Sequence, residues 1–96
     1  MADVQFTWDE RKNRANEQKH GISFEPAVLV FDDPYHFSLQ DREVDSKPRW
    51  QTIGMVNGVH VLLVAHIVNE THEETIRIIS ARKATPQERR IYAQGG

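Results

Sequence analysis

Arg77 sits inside the apolar run Thr75-Ile76-Arg77-Ile78-Ile79, where a guanidinium needs an anionic partner. Either a structural carboxylate supplies it, or the arginine's face is open and meets a charged ligand. Arg82 follows five residues later, Glu74 precedes by three, and His66 and Arg49 lie upstream. These groups suit phosphodiester chemistry. Metal-free RNA cleavage needs a base to take the 2′-hydroxyl proton, a cation to stabilise the charged phosphorane, and an acid to protonate the leaving 5′-oxygen. His titrates near neutrality, and Glu does so when buried. Ion pairs on a sheet are commonplace, however, so residue types alone leave a structural role for these groups open.

Other chemistries have no support in the sequence. Of the five histidines, His60 and His66 share a strand face but stand six residues apart, about 20 Å, and His20, His36 and His72 have no ligand spacing. The absence of Cys excludes thiolate sites and disulfides and suits a reducing cytoplasm. No Gly-rich phosphate loop occurs, and none of Ser23, Ser38, Ser46 or Ser80 lies in a nucleophile elbow. No metal and no cofactor are therefore expected. The 96 residues suit one domain over 1–96. The first residues do not resemble a signal peptide, and the longest apolar run, Val61-Leu62-Leu63-Val64-Ala65, is too short for a membrane span. A formal charge of −2 argues against a surface coated for nucleic acid, yet residues 77–90 hold five bases against one Glu, a local basic patch.

The elements that must position these groups follow in order. Val4, Phe6 and Trp8 alternate with polar residues, so residues 3–8 read as a strand. Asp9 caps a helix over about 10–19 and Gly21 stops it; that helix has no apolar face beyond Ala15. Ser23 opens a second helix through Phe31, stopped at Asp32-Asp33-Pro34. Residues 36–40 suggest a strand and 41–48 a loop. Asn57-Gly58 predicts a two-residue hairpin turn between strands 49–56 and 59–68. Thr85-Pro86-Gln87-Glu88 is a capping box for a helix over about 86–94.

The two-residue turn fixes a register in which Trp50, Thr52, Val61 and Leu63 share the helix-covered face with Ile76 and Ile78. Arg49, His66 and Arg77 then form a row on the open face. Such a row repels itself without an anion, and phosphate is its natural ligand. Arg77 and Arg82, five apart, face opposite ways in an unbroken strand. If both serve one phosphate, the strand must end or bulge before Arg82, and the turn toward Pro86 predicts that pairing stops by about Ala81 with Arg82 partly exposed.

Three blocks carry a family resemblance. Phe6-Thr7-Trp8-Asp9-Glu10-x-Lys12-x-x-x-Asn16-x-x-Lys19-His20-Gly21-Ile22-Ser23-Phe24-Glu25 resembles the opening signature of the BrnT family. Val30-Phe31-Asp32-Asp33-Pro34 and Ile53-Gly54 resemble its middle blocks. Arg77-Ile78-Ile79-Ser80-Ala81-Arg82-x-Ala84-Thr85-x-x-Glu88-Arg89-x-x-Tyr92 resembles its closing one. The resemblance implies a cytoplasmic ribonuclease toxin of a bacterial type II toxin–antitoxin pair. Its fold would be α+β and RelE-like, with helices on one face of an antiparallel sheet and a short C-terminal helix. It further implies a BrnA-like antitoxin that covers the toxin and carries the DNA-binding half, so that DNA is met only indirectly and no membrane is involved. Arg77 and Arg82 carry over as catalytic residues, with Glu74 beside them and His66 added from the strand reading. Arg49, Lys12, Lys19 and Lys83 are expected to touch RNA, although the two helix lysines suit an antitoxin-facing charge equally well. The competing reading is an inactive protein of the same fold that serves only as the partner of a DNA-binding repressor.

Overall fold

The structure, a computed structural model, describes residues 4–44, 47–70 and 74–95; the side chains of Arg42, Val44, Asn69, Glu70 and Glu74 lie outside that description. Strand β1 (Gln5–Thr7) leads to helix α1 (Glu10–His20), then to the short helix α2 (Phe24–Ala27) and a 3₁₀ segment (Val28–Asp32). Strands β2 (Phe37–Val44), β3 (Lys47–Val56), β4 (His60–Glu70) and β5 (Glu74–Lys83) follow, and helix α3 (Pro86–Ala93) closes the chain. The sheet order is β1-β5-β4-β3-β2.

The sheet is mixed rather than wholly antiparallel. The successive hairpins leave the outer edge of β5 bare, and β1 fills its first part in parallel, pairing Gln5 with Thr75 and Thr7 with Arg77. The expected second helix is likewise shorter: four α-helical residues tighten into the 3₁₀ segment. That segment packs against Gly54, where a Cβ would lie 2.8 Å from the Val30 carbonyl oxygen and 2.9 Å from Val30 Cγ1. Residues 41–44, expected in a loop, continue β2, with a bulge at Asp41 between the pairs Gln40–Trp50 and Arg42–Arg49.

The Asn57-Gly58 turn is present, with φ of 55° and 68° and a Val59 N–H bond to the Val56 carbonyl. Val59 nevertheless stays out of the ladder, which begins at Val56–His60. This one-residue slip inverts β4 relative to the expected register. Thr52 pairs with Val64 and Trp50 with His66, while Ile53 pairs with Leu63 and Arg49 with Ile67. The physical reason is that the run 61–65 does not alternate: Leu62, Leu63, Val64 and Ala65 are all buried, so both sheet faces accept it. Val61, Leu63 and His66 therefore exchange the faces predicted for them. Thr52, Ile76 and Ile78 keep theirs.

The main core lies under α1 and α2, where Phe24, Ala27 and Val30 meet Val56, Leu62, Val64, Ile78 and Ala81. Helix α1 is capped by Asp9, which accepts from the Arg11 and Lys12 N–H groups, and ends at Gly21 with φ of 72°. Lacking an apolar face, it docks through two buried asparagines. Asn13 Oδ1 accepts from the Phe24 N–H, and Asn16 bonds the carbonyls of Ile22 and Ala81 and the Ala81 N–H. Asn16 thereby completes the β5 edge beyond the reach of β1. Helix α3 crosses the opposite sheet face. Its first turn holds the capping box between Thr85 and Glu88, and its last turn brings the Tyr92 hydroxyl to Asp33 Oδ2.

Candidate functional site

The open part of the α3 face carries the arginines in register. Arg49, Ile67 and Arg77 form one transverse row across β3, β4 and β5, about 10 Å from end to end at ordinary strand spacing. The next row is Gln51, Ala65 and Ser80, and the third is Ile53, Leu63 and Arg82. Arg77 and Arg82 share this face because β5 bulges: Ser80 pairs with Ala65 and Ile78 with His66, leaving Ile79 without a partner of its own. The extra residue restores the parity that a spacing of five removes. Pairing does not stop at Ala81, however, since Arg82 and Lys83 pair with Leu63 and Leu62.

The three guanidiniums are not equivalent. Arg77 is exposed and has no ion pair among the described residues. The nearby Asp9 carboxyl lies below its usual range, held there first by the Arg11 and Lys12 N–H groups, with charge from Lys12 and Arg77 adding to them. Arg49 Nε is buried and 3.5 Å from Asp41 Oδ2, too long and too poorly aimed for a hydrogen bond. Arg82, with 35 % of its side chain exposed, makes a bidentate pair with Glu88 at 2.8 and 2.9 Å. That hydrogen bonding pushes Glu88 down to about 2, and it raises Arg82 further.

His66 departs most from its expected place. It is 3 % exposed beneath the helices, on the face opposite Arg77. Its Nε2 lies 2.7 Å from Thr52 Oγ1, which continues to Ser38 Oγ at 2.8 Å, and its ring stands edge-on to Phe31. Desolvation lowers its pKa to about 4, so it is a neutral core residue through the physiological range. Lys83 also leaves the arginine face, lining with His60, Glu17 and Pro26 a cleft of about 300 Å³ on the helix side. Lys12 and Lys19 are exposed on α1. The Glu74 side chain lies outside the described residues, as does His72. Among the described residues, no three His, Asp or Glu side chains converge on a common point.

Two polar centres have no counterpart in the sequence reading. One is Asn16, described above. The other is Asp33, which accepts from the Tyr35 and Met55 N–H groups and from the Tyr92 hydroxyl. Desolvation opposes its charge, but these three donors outweigh it and hold the carboxyl below its usual range. Tyr92 is pushed up to about 12 by burial and by Asp33. The signal available was only that Asp33 and Tyr92 each sit in a motif block, 59 residues apart.

Residues 8–88 match the family model described as the ribonuclease toxin, BrnT, of type II toxin–antitoxin systems. The chain belongs to the BrnT family. Among solved structures, the 1.1 Å crystal structure of the Brucella abortus ribonuclease toxin BrnT is 30% identical, with a TM-score of 0.64 over 86% of this chain and 99% of that one. No curated protein matches. The shared architecture is an α+β fold. Family membership makes the chain a type II toxin with an antitoxin partner and RNA cleavage as the family's activity. Among the described residues, no helix is long and apolar enough to cross a membrane.

Proposed function

We propose that this BrnT-family chain, read as a RelE-like toxin of the cytoplasm, cleaves RNA without a metal on the sheet face bearing Arg77. The observation that carries this reading is the Ile79 bulge, which puts Arg77 and Arg82 on one sheet face, with Arg49 in the row of Arg77. Arg77, exposed and without an ion pair among the described residues, presents its guanidinium to the scissile phosphate. As the 2′-oxygen attacks phosphorus and the bond to the 5′-oxygen breaks, Arg77 takes up the charge that develops on the non-bridging oxygens. Arg82 contributes from the edge of the site, held in place by Glu88. Glu74 is assigned to proton transfer on residue type. His66 receives no such role, because it is buried on the other face. Arg49 assists by attracting the backbone, and Lys12, Lys19 and Lys83 lie on surfaces that suit a BrnA-like antitoxin better than the scissile phosphate. DNA is met only through that antitoxin.

The test is cleavage of a single-stranded RNA in the presence of a chelator, by the wild type and by Arg77→Ala. Loss of cleavage in the variant alone supports the reading. Equal activity removes Arg77 from the chemistry. Cleavage abolished by the chelator removes the metal-free mechanism. A wild type with no activity that still binds its antitoxin favours the non-catalytic partner, a reading supported by the carboxylates already beside Arg49 and Arg82.

A further inference from the structure

At the far end of α3 from the Arg82–Glu88 pair lies a cleft of about 630 Å³ walled by four rings, those of Tyr35, His36, Phe37 and Tyr92, with Gln94 at its rim. Phe37 belongs to the arginine face, because it pairs with Ile53 in the same row as Arg82. Along that row Phe37 stands three strand spacings, about 14 Å, from Arg82, and Arg77 lies four ladder positions, about 13 Å, further along β5. Two of the four rings are held. Tyr92 is tied to Asp33, and His36 Nδ1, 2.6 Å from the Asp33 carbonyl oxygen, must carry a hydrogen because a carbonyl can only accept. Nε2 of a neutral His36 is then an acceptor.

Tyr35 is 75 % exposed, whereas Phe37 and Tyr92 are partly buried, and among the described residues no ring packs on Tyr35. An exposed aromatic beside two tethered rings leaves a flat face without a partner. The ionised Asp33 carboxylate behind the cleft disfavours a phosphate there. The ligand that fits is therefore flat and not anionic, as a nucleobase is.

We infer that this cleft is a nucleobase-stacking subsite, in which Tyr35 receives one base of the single-stranded substrate while the scissile phosphate lies several nucleotides away on the Arg77 row. The inference rests on the ribonuclease reading above. Anions would follow the arginines and the base would enter the rings, a division of labour common to single-strand binders.

The experiment uses a short single-stranded RNA of mixed sequence, cut at a mapped position, and a set of the same RNA with one abasic site moved along it. Cleavage efficiency, kcat/KM, is measured for the wild type, Tyr35→Ala and Tyr35→Phe. One abasic position away from the cut should lower the wild-type value roughly five- to hundredfold, the usual worth of one stacked base. Tyr35→Ala should lose a similar factor on intact RNA and lose nothing more at that position, whereas Tyr35→Phe should behave as wild type. Wild-type efficiency of Tyr35→Ala on intact RNA overturns the subsite while leaving the ribonuclease reading intact. So does a further full loss at the abasic position in Tyr35→Ala. Unimpaired cleavage by Tyr35→Ala together with weakened binding of the antitoxin reassigns the cleft to a protein. A wild type that cuts no RNA overturns both readings.

Discussion

Asn16 and Ala81 are joined at two points: Asn16 Nδ2 donates to the Ala81 carbonyl at 2.8 Å, and the Ala81 N–H returns a bond to Oδ1 at 3.1 Å. A single side chain thus replaces the neighbouring strand that β5 lacks beyond Arg77, and it does so one residue before Arg82. Asn16→Ala leaves two buried backbone groups without partners and should cost about 2–4 kcal/mol. Urea unfolding of the variant checks this; a change within a few tenths of a kcal/mol would mean that the helix docks by other contacts.

Gly54 sets the distance between the 3₁₀ segment and β3. Because a Cβ would meet the Val30 carbonyl oxygen at 2.8 Å, Gly54→Ala must displace backbone rather than a flexible side chain. We expect a loss of about 1–3 kcal/mol, read as a lowered Tm. A stabilised variant would show that the approach is looser than described.

His66 links stability to pH. Its folded pKa, lowered to about 4 by desolvation, lies below the ordinary value of 6.5. The unfolded chain therefore binds the proton first, and stability is complete above about pH 6.5 and falls as pH drops toward 4. The loss should reach about 2–3 kcal/mol by pH 4. His66→Gln should flatten the urea midpoint over that window, whatever it does to the absolute stability. An unchanged pH slope in the variant would assign the dependence to other groups.

Glu88 titrates lower. Its pKa of about 2, set first by Arg82, places its contribution above about pH 4.5, lost as pH falls toward 2. The pair is partly exposed, so screening reduces its worth to about 1–2 kcal/mol. Glu88→Gln should lose about that much at pH 7 and lower RNA cleavage no further than Arg82→Ala does. A greater loss of cleavage in a folded Glu88→Gln protein than in Arg82→Ala would make Glu88 part of the chemistry rather than the support of Arg82.

The parts of the fold that were legible in the sequence are those written locally. Asp9 and Gly21 bound α1, Thr85 and Glu88 cap α3, and Asn57-Gly58 makes the turn, each from residues a few positions apart. The register was not legible, because the five apolar residues 61–65 satisfy either face and Val59 slips out at no visible cost. The site was half legible. The spacing of Arg77 and Arg82 demanded a break in the strand, and a bulge at Ile79 meets that demand, but no residue type marked Ile79 as its position. What the sequence hid altogether were partnerships across long separations: Asn16 with Ala81, Asp33 with Tyr92, and His66 with Thr52 and Phe31. A polar helix reads as solvated until a buried asparagine is seen to hold it.

In the proposed mechanism Arg77 acts on the scissile phosphate, and its one other electrostatic role, the last and smallest of the causes that lower Asp9, is minor. Arg77 is exposed and without an ion pair among the described residues, so its removal should leave the fold alone. The most direct measurement is the single-turnover RNA cleavage rate of Arg77→Ala and Arg77→Lys, taken with the Tm of each. We expect both variants to keep the wild-type Tm and to lose about 2–4 kcal/mol of transition-state stabilisation, with lysine unable to restore the bidentate contact. Wild-type cleavage by Arg77→Ala, or a loss of rate matched by a loss of folded protein, would remove Arg77 from the chemistry.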